Sequence, residues 1–328
     1  MPIIPHSAYG NFLHPLRSGH LETILPSLYR KVRGVTYKRE RIETVDGDFL
    51  DLDWLKRGSN KLIILSHGLE GSSERHYMKS AAKYFNQKGY DVLAWNYRSC
   101  SGEMNKNLRL YHHGVTDDLE SVINHAIDTR EYKRIGLVGY SMGGSTTLKY
   151  LGENGYNVPK HIVGAAVFSV PCNLWDSAHQ LTFWENKFYQ NRFLKKLKEK
   201  VKKKHEQFPK SFSIEGIDDI TSFGQFDENY TAPLHGFRNA RHFYKTSTSD
   251  LHYHSIKVPS LIVNALNDPM LGEKCYPYEA CRQNEYLTLE TPKSGGHVGF
   301  SLRGKTYSWM DKRAHEFIDS FMTEWTLH

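Results

Sequence analysis

Short apolar runs alternate with amphipathic stretches along much of this chain, and that alternation constrains the fold more than any other feature. The apolar runs predict strands buried on both faces of a sheet, while the stretches between them show the helical spacing of apolar residues. Such alternation is typical of a mostly parallel sheet built from right-handed crossovers, which places the chain in the α/β class with helices flanking a central sheet. The predicted strands are 61–65, 90–97, 134–139, 161–170, 260–266 and 286–290, and the predicted helices are 74–88, 115–129, 143–151 and 309–325.

The alternation stops after Pro171 and resumes near Ser260, which indicates how the chain is divided. A break between two halves of one sheet favours an insertion over a separate terminal domain, and 328 residues are enough for one large domain with its own core. We therefore expect an α/β core formed by 41–171 and 251–328, a helical cap insertion at 172–250, and an N-terminal lead-in at 1–40 packed on the core.

The pentapeptide Gly139-Tyr140-Ser141-Met142-Gly143 lies where a predicted strand ends and a predicted helix begins. A serine in such a sharp turn is held at the carboxyl edge of the sheet, and glycines flank it because side chains there would clash. The helix that follows offers backbone N–H groups to a developing oxyanion. A plain turn serine fits the bare pentapeptide as well, but the strand before it and the helix after it favour Ser141 as a nucleophile.

A serine nucleophile needs a base, and the base needs an acid that orients it, in the chain order Ser, acid, His for an α/β-hydrolase. Among the 18 histidines, His297 is the candidate base because it lies in a glycine-rich loop between the last predicted strand and the final helix. A surface-loop histidine is the alternative. Asp268 is the candidate acid, because it directly follows the strand predicted at 260–266. An ordinary turn aspartate remains possible there, with Asp250, in the expected cap, as the second candidate acid.

An oxyanion hole needs backbone donors from two loops, and the sequence offers a second loop at 67–71, with the residues HGLEG after an early predicted strand. Glycine at position 68 allows the backbone to turn so that the Leu69 N–H can face a substrate oxygen together with the Met142 N–H. A simple strand-to-helix turn is the alternative for this loop. The residues expected to support the two turns are His67, Gly68, Gly139 and Gly143.

Several separated motifs stand in a fixed order: GHLETILP at 19–26, HGLEG at 67–71, NYRSCSGE at 96–103, YHHG at 111–114, GYSMGG at 139–144, NDP at 267–269 and GGHVGF at 295–300. Together they resemble the YheT-type α/β-hydrolases over nearly the whole chain, and the resemblance weakens only in the expected cap. It implies the α/β-hydrolase fold, the triad Ser141, Asp268 and His297, and a carboxylesterase-like activity on esters of short or medium acyl chains. Glu22, where the family suggests glutamine, is a departure away from the triad.

The net charge of +7 raises the question of an anionic partner. Most of it comes from the lysine-rich segment Lys195–Lys204, which contributes +6 through seven lysines and one glutamate. Leu194, Leu197 and Val201 recur there at helical spacing and predict an amphipathic helix. A solvated cap face is one interpretation, and peripheral contact with an anionic lipid or an acidic substrate is the other. The segment lacks arginines and stacking aromatics, so we expect no nucleic-acid binding.

Motifs and cysteines in the sequence bear on whether the protein binds a cofactor and where in the cell it is located. Neither GxGxxG nor GxxxxGK[ST] occurs, and the histidines at 242, 252 and 254 lack a further ligand at a recognisable spacing, so we expect no cofactor and no metal. Four cysteines without a CxxC pair fit a reducing cytoplasm. We expect neither a secretory signal nor a transmembrane segment.

The function expected from these residues is a serine hydrolase that cleaves small carboxylic esters through an acyl-enzyme. Transfer of the acyl group to an alcohol or thiol is the first alternative, and a catalytically idle lipid-surface or interaction module is the second. Two overlapping H-x4-D strings begin at His112 and His113, a pattern found in some acyltransferases, but their aspartates are more typical of the first turn of a helix.

Overall fold

The computed structural model describes residues 2–10, 18–129 and 131–322, and these residues contain one nine-stranded sheet. Its strands are β1 (Ile3–Ile4), β2 (Lys38–Glu43), β3 (Phe49–Leu55), β4 (Lys61–Ser66), β5 (Asp91–Asn96), β6 (Arg134–Tyr140), β7 (Ile162–Phe168), β8 (Ser260–Val263) and β9 (Leu287–Glu290). They lie in the order β1-β9-β8-β7-β6-β4-β5-β3-β2. All neighbours pair in parallel except β3, which is antiparallel to both β2 and β5.

Helices connect most of these strands. The α-helices are α1 (Gly19–Tyr29), α2 (His76–Gln87), α3 (Asp117–Thr129), α4 (Met142–Asn154), α5 (Leu174–Gln180), α6 (Lys187–Gln207), α7 (Phe223–Phe226), α8 (Ala232–Leu234), α9 (Ala240–Ser247), α10 (Tyr278–Gln283) and α11 (Trp309–Asp319). A π-helix lies at Asp227–Thr231, and short 3-10 helices lie at Gly155–Asn157, Trp184–Asn186, Ile217–Asp219, Asp250–Ser255 and Glu273–Cys275. Within the described ranges, none of the helices combines the length and the apolar character that crossing a membrane requires.

The strand order places a crevice beside β4. The chain leaves β4 through α2 to β5 on one side, and then returns through α3 to β6 on the other side. Because the connections diverge there, the loops that follow β4 and β6 separate at the carboxyl edge of the sheet, where open α/β sheets bind their ligands. The candidate oxyanion loop and the candidate nucleophile follow these two strands.

The core lies on both faces of the sheet, as parallel strands require. Along β4, Leu62 and Ile64 pack on the face covered by α3 and α4, while Ile63 and Leu65 pack on the face covered by α2 and α11. All four side chains are fully buried, which explains why this strand is an uninterrupted apolar run in the sequence. The α/β fold class predicted from the sequence is confirmed.

Two predicted element boundaries were wrong. The strand expected at 260–266 ends at Val263, because the chain then turns through a hydrogen bond from the Asp268 N–H to the Ala265 carbonyl. Asp268 therefore lies in the loop beyond β8 and does not directly follow a strand. The final helix, expected to reach residue 325, ends at Asp319, and residues 323–325 lie outside the described part of the chain.

The sequence did not predict β2 and β3, because charged residues interrupt their apolar pattern. These charges pair across the two strands. Arg39 binds Asp53 and Arg41 binds Asp51, each through two hydrogen bonds between a guanidinium and a carboxylate. Buried carboxylates are therefore accommodated in a strand next to the sheet edge by facing arginines. Neither β1 nor α1 was predicted either.

Helices α5 to α9 occupy the chain between β7 and β8, where a single crossover helix would suffice. Their apolar side chains form two clusters. Residues of α6, α7 and α8 form one, which also includes Leu110 and Met270 from loops of the core, and residues of α5 and α9 form the other. This helical segment therefore packs on the carboxyl edge of the sheet. The boundaries expected for a lead-in, a core and a cap remain predictions.

Candidate active site

Ser141 lies in the turn between β6 and α4 with φ 54° and ψ −121°, a strained conformation for a residue with a side chain. The turn is possible only because the residues two positions before and after Ser141 are glycines. A Cβ atom at Gly143 would lie 2.2 Å from the Ser66 carbonyl oxygen, and one at Gly139 would lie 2.6 Å from the Gly143 oxygen. The sequence therefore forces a tight strand-to-helix turn that presents the Ser141 hydroxyl at the sheet edge.

Ser141, His297 and Asp268 form a continuous chain of hydrogen bonds. The Nε2 atom of His297 lies 2.9 Å from the Ser141 Oγ, and its Nδ1 lies 2.9 Å and 3.1 Å from the two carboxylate oxygens of Asp268. The Asp268 side chain is fully buried, and the His297 side chain is 11% exposed. An aspartate that accepts the Nδ1 proton leaves the Nε2 lone pair directed at the serine, which is the tautomer a general base needs.

The alternative acids are engaged elsewhere. The carboxylate of Asp250 accepts hydrogen bonds from Asn173 and Thr248 at 2.7 Å each. The aspartates of the two H-x4-D strings bind arginines: Arg109 pairs with Asp117 and Arg98 with Asp118. Of these carboxylates, only that of Asp268 contacts His297.

The predicted oxyanion loop, 67–71, is held by a buried neutral histidine. The backbone N–H of Tyr97 donates to His67 Nε2 at 3.2 Å, so the proton lies on Nδ1, which donates to the Gly68 carbonyl at 2.8 Å. Burial lowers the pKa of His67 to about 3, which keeps the ring uncharged at neutral pH. His67 thus connects the start of the loop to the backbone after β5.

Two backbone amides near Ser141 lack a hydrogen-bond partner among the residues that the structure describes. The neighbours of Leu69 are engaged, because the Gly68 N–H donates to the Tyr77 hydroxyl and the Glu70 N–H to the Tyr111 hydroxyl. Within the described ranges, no acceptor takes the N–H of Leu69 or of Met142. Leu69 lines both cavities that reach Ser141. This is the arrangement that an oxyanion hole requires.

The loop that carries His297 is fastened to α1, which sequence reasoning missed. The His297 N–H donates to the Thr23 hydroxyl at 2.8 Å. The Glu22 carboxylate, 3% exposed, accepts from the Gly295 N–H and from the Asn267 side chain. From the sequence, Glu22 is only a departure from a family pattern; in the structure it supports the histidine loop. The motif GHLETILP was the available signal, but its position in the chain gives no hint of this contact.

An apolar lobe of the site, a cavity that opens from Ser141 and His297, extends into the helical segment. Among the described residues that line it, one has a carboxylate, Asp227. Burial raises the pKa of this carboxyl to about 6. Its oxygens accept hydrogen bonds from the Thr231 and Tyr244 hydroxyls, so it is a satisfied part of the wall. The rest of the lining is mainly aliphatic and aromatic, including Leu174, Leu181, Phe193, Phe223, Phe226 and Met270.

A basic lobe, a second cavity, opens from the same serine and histidine. It lies between the oxyanion loop, α1, the start of α2 and α6. Three cationic side chains line it: Arg75, Arg192 and Lys196. Ser141 therefore lies at the junction of an apolar and a positively charged cavity. The second cavity was not predicted from the sequence.

The lysine-rich segment forms the second half of α6, but not all of its lysines face solvent. The Lys200 ammonium is buried and donates to the Glu70 carboxylate at 2.6 Å. The Lys204 ammonium is also buried and donates to the backbone carbonyls of Asn105 and Asn107 at 2.7 Å and 2.8 Å. The interpretation as a solvated face is therefore wrong for these two lysines, because they fasten α6 to loops of the core.

The amino-acid sequence is similar to those of known hydrolases. The family model described as "Serine aminopeptidase, S33" matches residues 58–218. The YheT protein of Escherichia coli (strain K12), whose name carries a provisional esterase assignment, is 28% identical over 92% of this chain and 91% of its own length. The Mus musculus phospholipase ABHD3 is 28% identical over 92% of this chain and 76% of its length.

Solved structures support the architecture. The Pyrococcus furiosus esterase Pf2001 superposes with a TM-score of 0.59 at 20% identity, covering 90% of this chain and 99% of that one. DcsB in complex with its substrate analogue gives a TM-score of 0.57 at 17% identity, covering 87% of this chain and all of that chain. At these identities the likeness shows a shared fold, not a shared substrate.

Proposed function

We propose that this chain, an ester hydrolase that is similar to the YheT-type α/β-hydrolases, cleaves carboxylic esters through an acyl-enzyme on Ser141. In this proposal His297 is the general base and Asp268 orients its ring. The observation that carries it is the unbroken hydrogen-bond chain from the Ser141 hydroxyl through His297 to a buried carboxylate.

The proposed reaction has two halves. The Ser141 oxygen forms a bond to the ester carbonyl carbon while His297 takes its proton, and the N–H groups of Leu69 and Met142 bind the oxyanion. When the tetrahedral intermediate collapses, the bond to the leaving oxygen breaks and His297 returns the proton to the departing alcohol. Water then attacks the acyl-enzyme with the same histidine as base, which releases the acid and restores Ser141.

We assign the acyl chain to the apolar lobe and the alcohol to the basic lobe. An apolar cavity gains about 0.8 kcal/mol for each methylene removed from water, so the apolar lobe favours acyl groups of short or medium length over acetyl. In this assignment the helical segment, expected as a cap at 172–250, supplies most of the apolar wall. Each added methylene should raise kcat/KM about fourfold until the lobe is full.

The test replaces the nucleophile. In Ser141→Ala, hydrolysis of p-nitrophenyl butyrate and octanoate should fall on the order of 10³-fold or more, because no other hydroxyl takes part in the chain. A fluorophosphonate probe should label the wild type and not this variant. The exposed Ser211, replaced by alanine, is the matched control and should retain both activity and labelling. Wild-type turnover in a folded Ser141→Ala would contradict the mechanism.

Product analysis separates hydrolysis from acyl transfer. With ethanol added to the p-nitrophenyl octanoate reaction, we expect octanoic acid as the main product. Ethyl octanoate in large excess over simple partitioning between water and ethanol would contradict hydrolysis and indicate an acyltransferase.

We also propose that the lysine-rich segment contacts anionic lipid through its exposed lysines, Lys195 and Lys203. Two lysines held near a surface attract anionic headgroups with about 1 kcal/mol each. Co-sedimentation with phosphatidylglycerol vesicles should fall in the double variant Lys195→Gln/Lys203→Gln. It should stay at the wild-type level in the control Lys210→Gln, which replaces an exposed lysine beyond α6. Equal sedimentation of all three proteins would contradict this contact.

For location we propose the cytoplasm. All four cysteines are free thiols, with Cys172, Cys275 and Cys281 buried and Cys100 partly buried, which suits a reducing compartment. Fractionation of cells that express the tagged full chain tests this, and recovery outside the cytoplasmic fraction would contradict it.

A further inference from the structure

The oxyanion loop, 67–71, contains a tight turn whose third residue is strained. The Gly71 N–H donates to the Gly68 carbonyl at 3.0 Å, which closes a four-residue turn. Glu70, the third residue of this turn, has φ 52°, in the left-handed region that a residue with a side chain rarely adopts. Such a conformation persists only where surrounding contacts hold it. Leu69, the candidate oxyanion donor, lies between Gly68 and Glu70, so the direction of its N–H depends on the turn being kept.

The core holds Glu70 through Tyr111, which lies in the connection between β5 and α3. The Glu70 N–H donates to the Tyr111 hydroxyl at 3.0 Å, and the same hydroxyl donates to the Glu70 Oε1 at 2.5 Å. Burial holds the pKa of Tyr111 well above its ordinary value, so the hydroxyl keeps the proton that it donates. Both the backbone and the side chain of Glu70 are therefore bound by one residue of the core.

Helix α6 binds the same glutamate. The Lys196 ammonium donates to the Glu70 backbone carbonyl at 3.3 Å, and the Lys200 ammonium donates to the Glu70 Oε1 at 2.6 Å. These two lysines are four residues apart and lie on one face of the helix. The Lys200 ammonium also donates to the Cys100 Sγ at 3.2 Å and lies 4.7 Å from the centroid of the Tyr111 ring.

The ion pair of Lys200 with Glu70 is buried, since their side chains are only 9% and 8% exposed. Burial by itself would lower the pKa of Lys200, but Cys100 and Glu70 raise it, so the ammonium stays charged. A buried ion pair stabilises a fold little more than well-packed apolar residues of the same volume would. Its place beside a strained turn of the candidate active site points to a geometric role instead.

We propose that Lys200 is a positioning residue, which holds the oxyanion loop through its ion pair with Glu70 so that the Leu69 N–H faces the developing oxyanion. Residues of α6 line the apolar lobe, to which we assigned the acyl chain. One helix therefore both contacts the acyl group and sets the oxyanion hole. This inference rests on the proposed hydrolase function and adds a residue to it.

The test removes the ammonium and keeps the apolar stem. In Lys200→Met, kcat for p-nitrophenyl butyrate should fall about tenfold or more with little change in KM, because the oxyanion forms only in the transition state. Inhibition by an octyl trifluoromethyl ketone, whose adduct with a serine carries an oxyanion, should weaken by a similar factor. Lys204→Met is the matched control, because Lys204 fastens the same helix to Asn105 and Asn107 and not to the oxyanion loop. It should keep both kcat and inhibition.

A double variant separates positioning from stability. Lys200→Met alone leaves the Glu70 carboxylate buried without its partner, which destabilises the protein whatever the pair does for catalysis. Lys200→Met/Glu70→Gln removes both charges and keeps an acceptor oxygen for the Tyr111 hydroxyl. The urea midpoint should recover towards the wild-type value, whereas kcat should stay low. Recovery of kcat as well would overturn the positioning role, and so would an equal loss of kcat in Lys204→Met.

Hydrogen exchange tests the same contact without a substrate. Amide exchange in the peptide that contains the oxyanion loop should be faster in Lys200→Met/Glu70→Gln than in the wild type or in Lys204→Met, because the turn opens more often. If the wild type cleaves no ester, faster exchange in the double variant still supports the contact, and only the hydrolase function fails. Unchanged exchange overturns the positioning role whether or not the wild type is active.

Discussion

At the scale of single residues, the candidate site depends on where one proton is held. The buried Asp268 carboxylate contacts His297 Nδ1 through both oxygens, and only an acceptor at that place keeps the Nε2 lone pair directed at Ser141. The Met270 N–H also donates to Asp268 at 2.9 Å, which fixes the carboxylate. Asp268 therefore sets the tautomer and the orientation of the His297 ring.

Replacing Asp268 by asparagine should change the position of the His297 ring proton while keeping the shape of the site. In Asp268→Asn the amide can donate to Nδ1, which moves the ring proton to Nε2 and removes the base. We expect kcat for p-nitrophenyl butyrate to fall on the order of 10³–10⁴-fold, with the protein still folded by circular dichroism. Asp250→Asn is the matched control and should change kcat at most a few-fold. The reverse result, an active Asp268→Asn and an inactive Asp250→Asn, would reassign the acid.

At the scale of elements, α1 supports the loop of His297 from the far end of the chain. Glu22 binds the backbone of Gly295, and Thr23 binds that of His297. A loop held at two points keeps its imidazole within hydrogen-bonding distance of Ser141. Catalytic geometry of this kind is sensitive to small displacements.

Removing the Glu22 carboxylate should loosen that loop. We expect Glu22→Ala to lower kcat about tenfold or more with little change in KM, because Glu22 positions His297 and does not line either lobe. The free energy of unfolding should fall by about 1–3 kcal/mol, because the Gly295 N–H and the Asn267 side chain lose their acceptor. Glu22→Gln keeps an acceptor oxygen and should recover most of kcat. Loss of stability in Glu22→Ala with unchanged kcat would show that the contact is structural only.

The second element is α6, which is held against the core by buried lysines. Lys204→Ala should lower the free energy of unfolding by about 2 kcal/mol or more, because the carbonyls of Asn105 and Asn107 lose a buried donor. The neighbouring exposed Lys203, replaced by alanine, should change it by less than about 0.5 kcal/mol. Urea unfolding of the two variants measures the difference. Equal values would mean that Lys204 is hydrated in solution.

The sequence sufficed where a function is encoded locally and failed where it is assembled over distance. Ser141 and His297 each stand in a glycine-rich turn whose neighbours in the chain define it, so their meeting in the structure was predictable. Glu22 and Arg75 carry no such local pattern. Glu22 reaches Gly295 across 273 positions of the chain, and Arg75 and Arg192 line one cavity although they belong to different segments of the sequence. The spacing of apolar residues along the sequence does not predict contacts between such distant residues.

At the scale of the whole molecule, the site unites α1, the loops of the core and the helical segment, and this assembly buries several histidines. Burial lowers the pKa of His67 and His76 to about 3 and that of His113 and His235 to about 4, and it lowers the pKa of His112 as well. His112, His113 and His235 line the apolar lobe. These rings stay neutral in the folded protein at pH values where an unfolded chain would protonate them.

This difference predicts that the protein loses stability in mild acid. A histidine whose pKa is lowered by folding contributes its full stability above its unfolded pKa of about 6.5, and this stability declines as the pH falls towards the folded value. Each such histidine lowers the free energy of unfolding by up to about 1.4 kcal/mol per pH unit, because its ring is protonated in the unfolded chain and neutral in the folded chain. Urea unfolding should therefore show a steep decrease in the free energy of unfolding between about pH 6.5 and pH 4.

One variant tests the origin of this acid sensitivity. In His113→Asn the slope of the free energy of unfolding against pH between pH 6 and pH 5 should decrease by up to about 1.4 kcal/mol per pH unit. The reason is that the variant has one fewer histidine that takes up a proton on unfolding. His6→Asn, which replaces an exposed histidine, serves as the control. An unchanged slope in His113→Asn would mean that this ring takes up its proton in the folded state, and that the apolar lobe admits enough water to solvate a charge. The same measurement therefore reports whether water enters the apolar lobe beside Ser141.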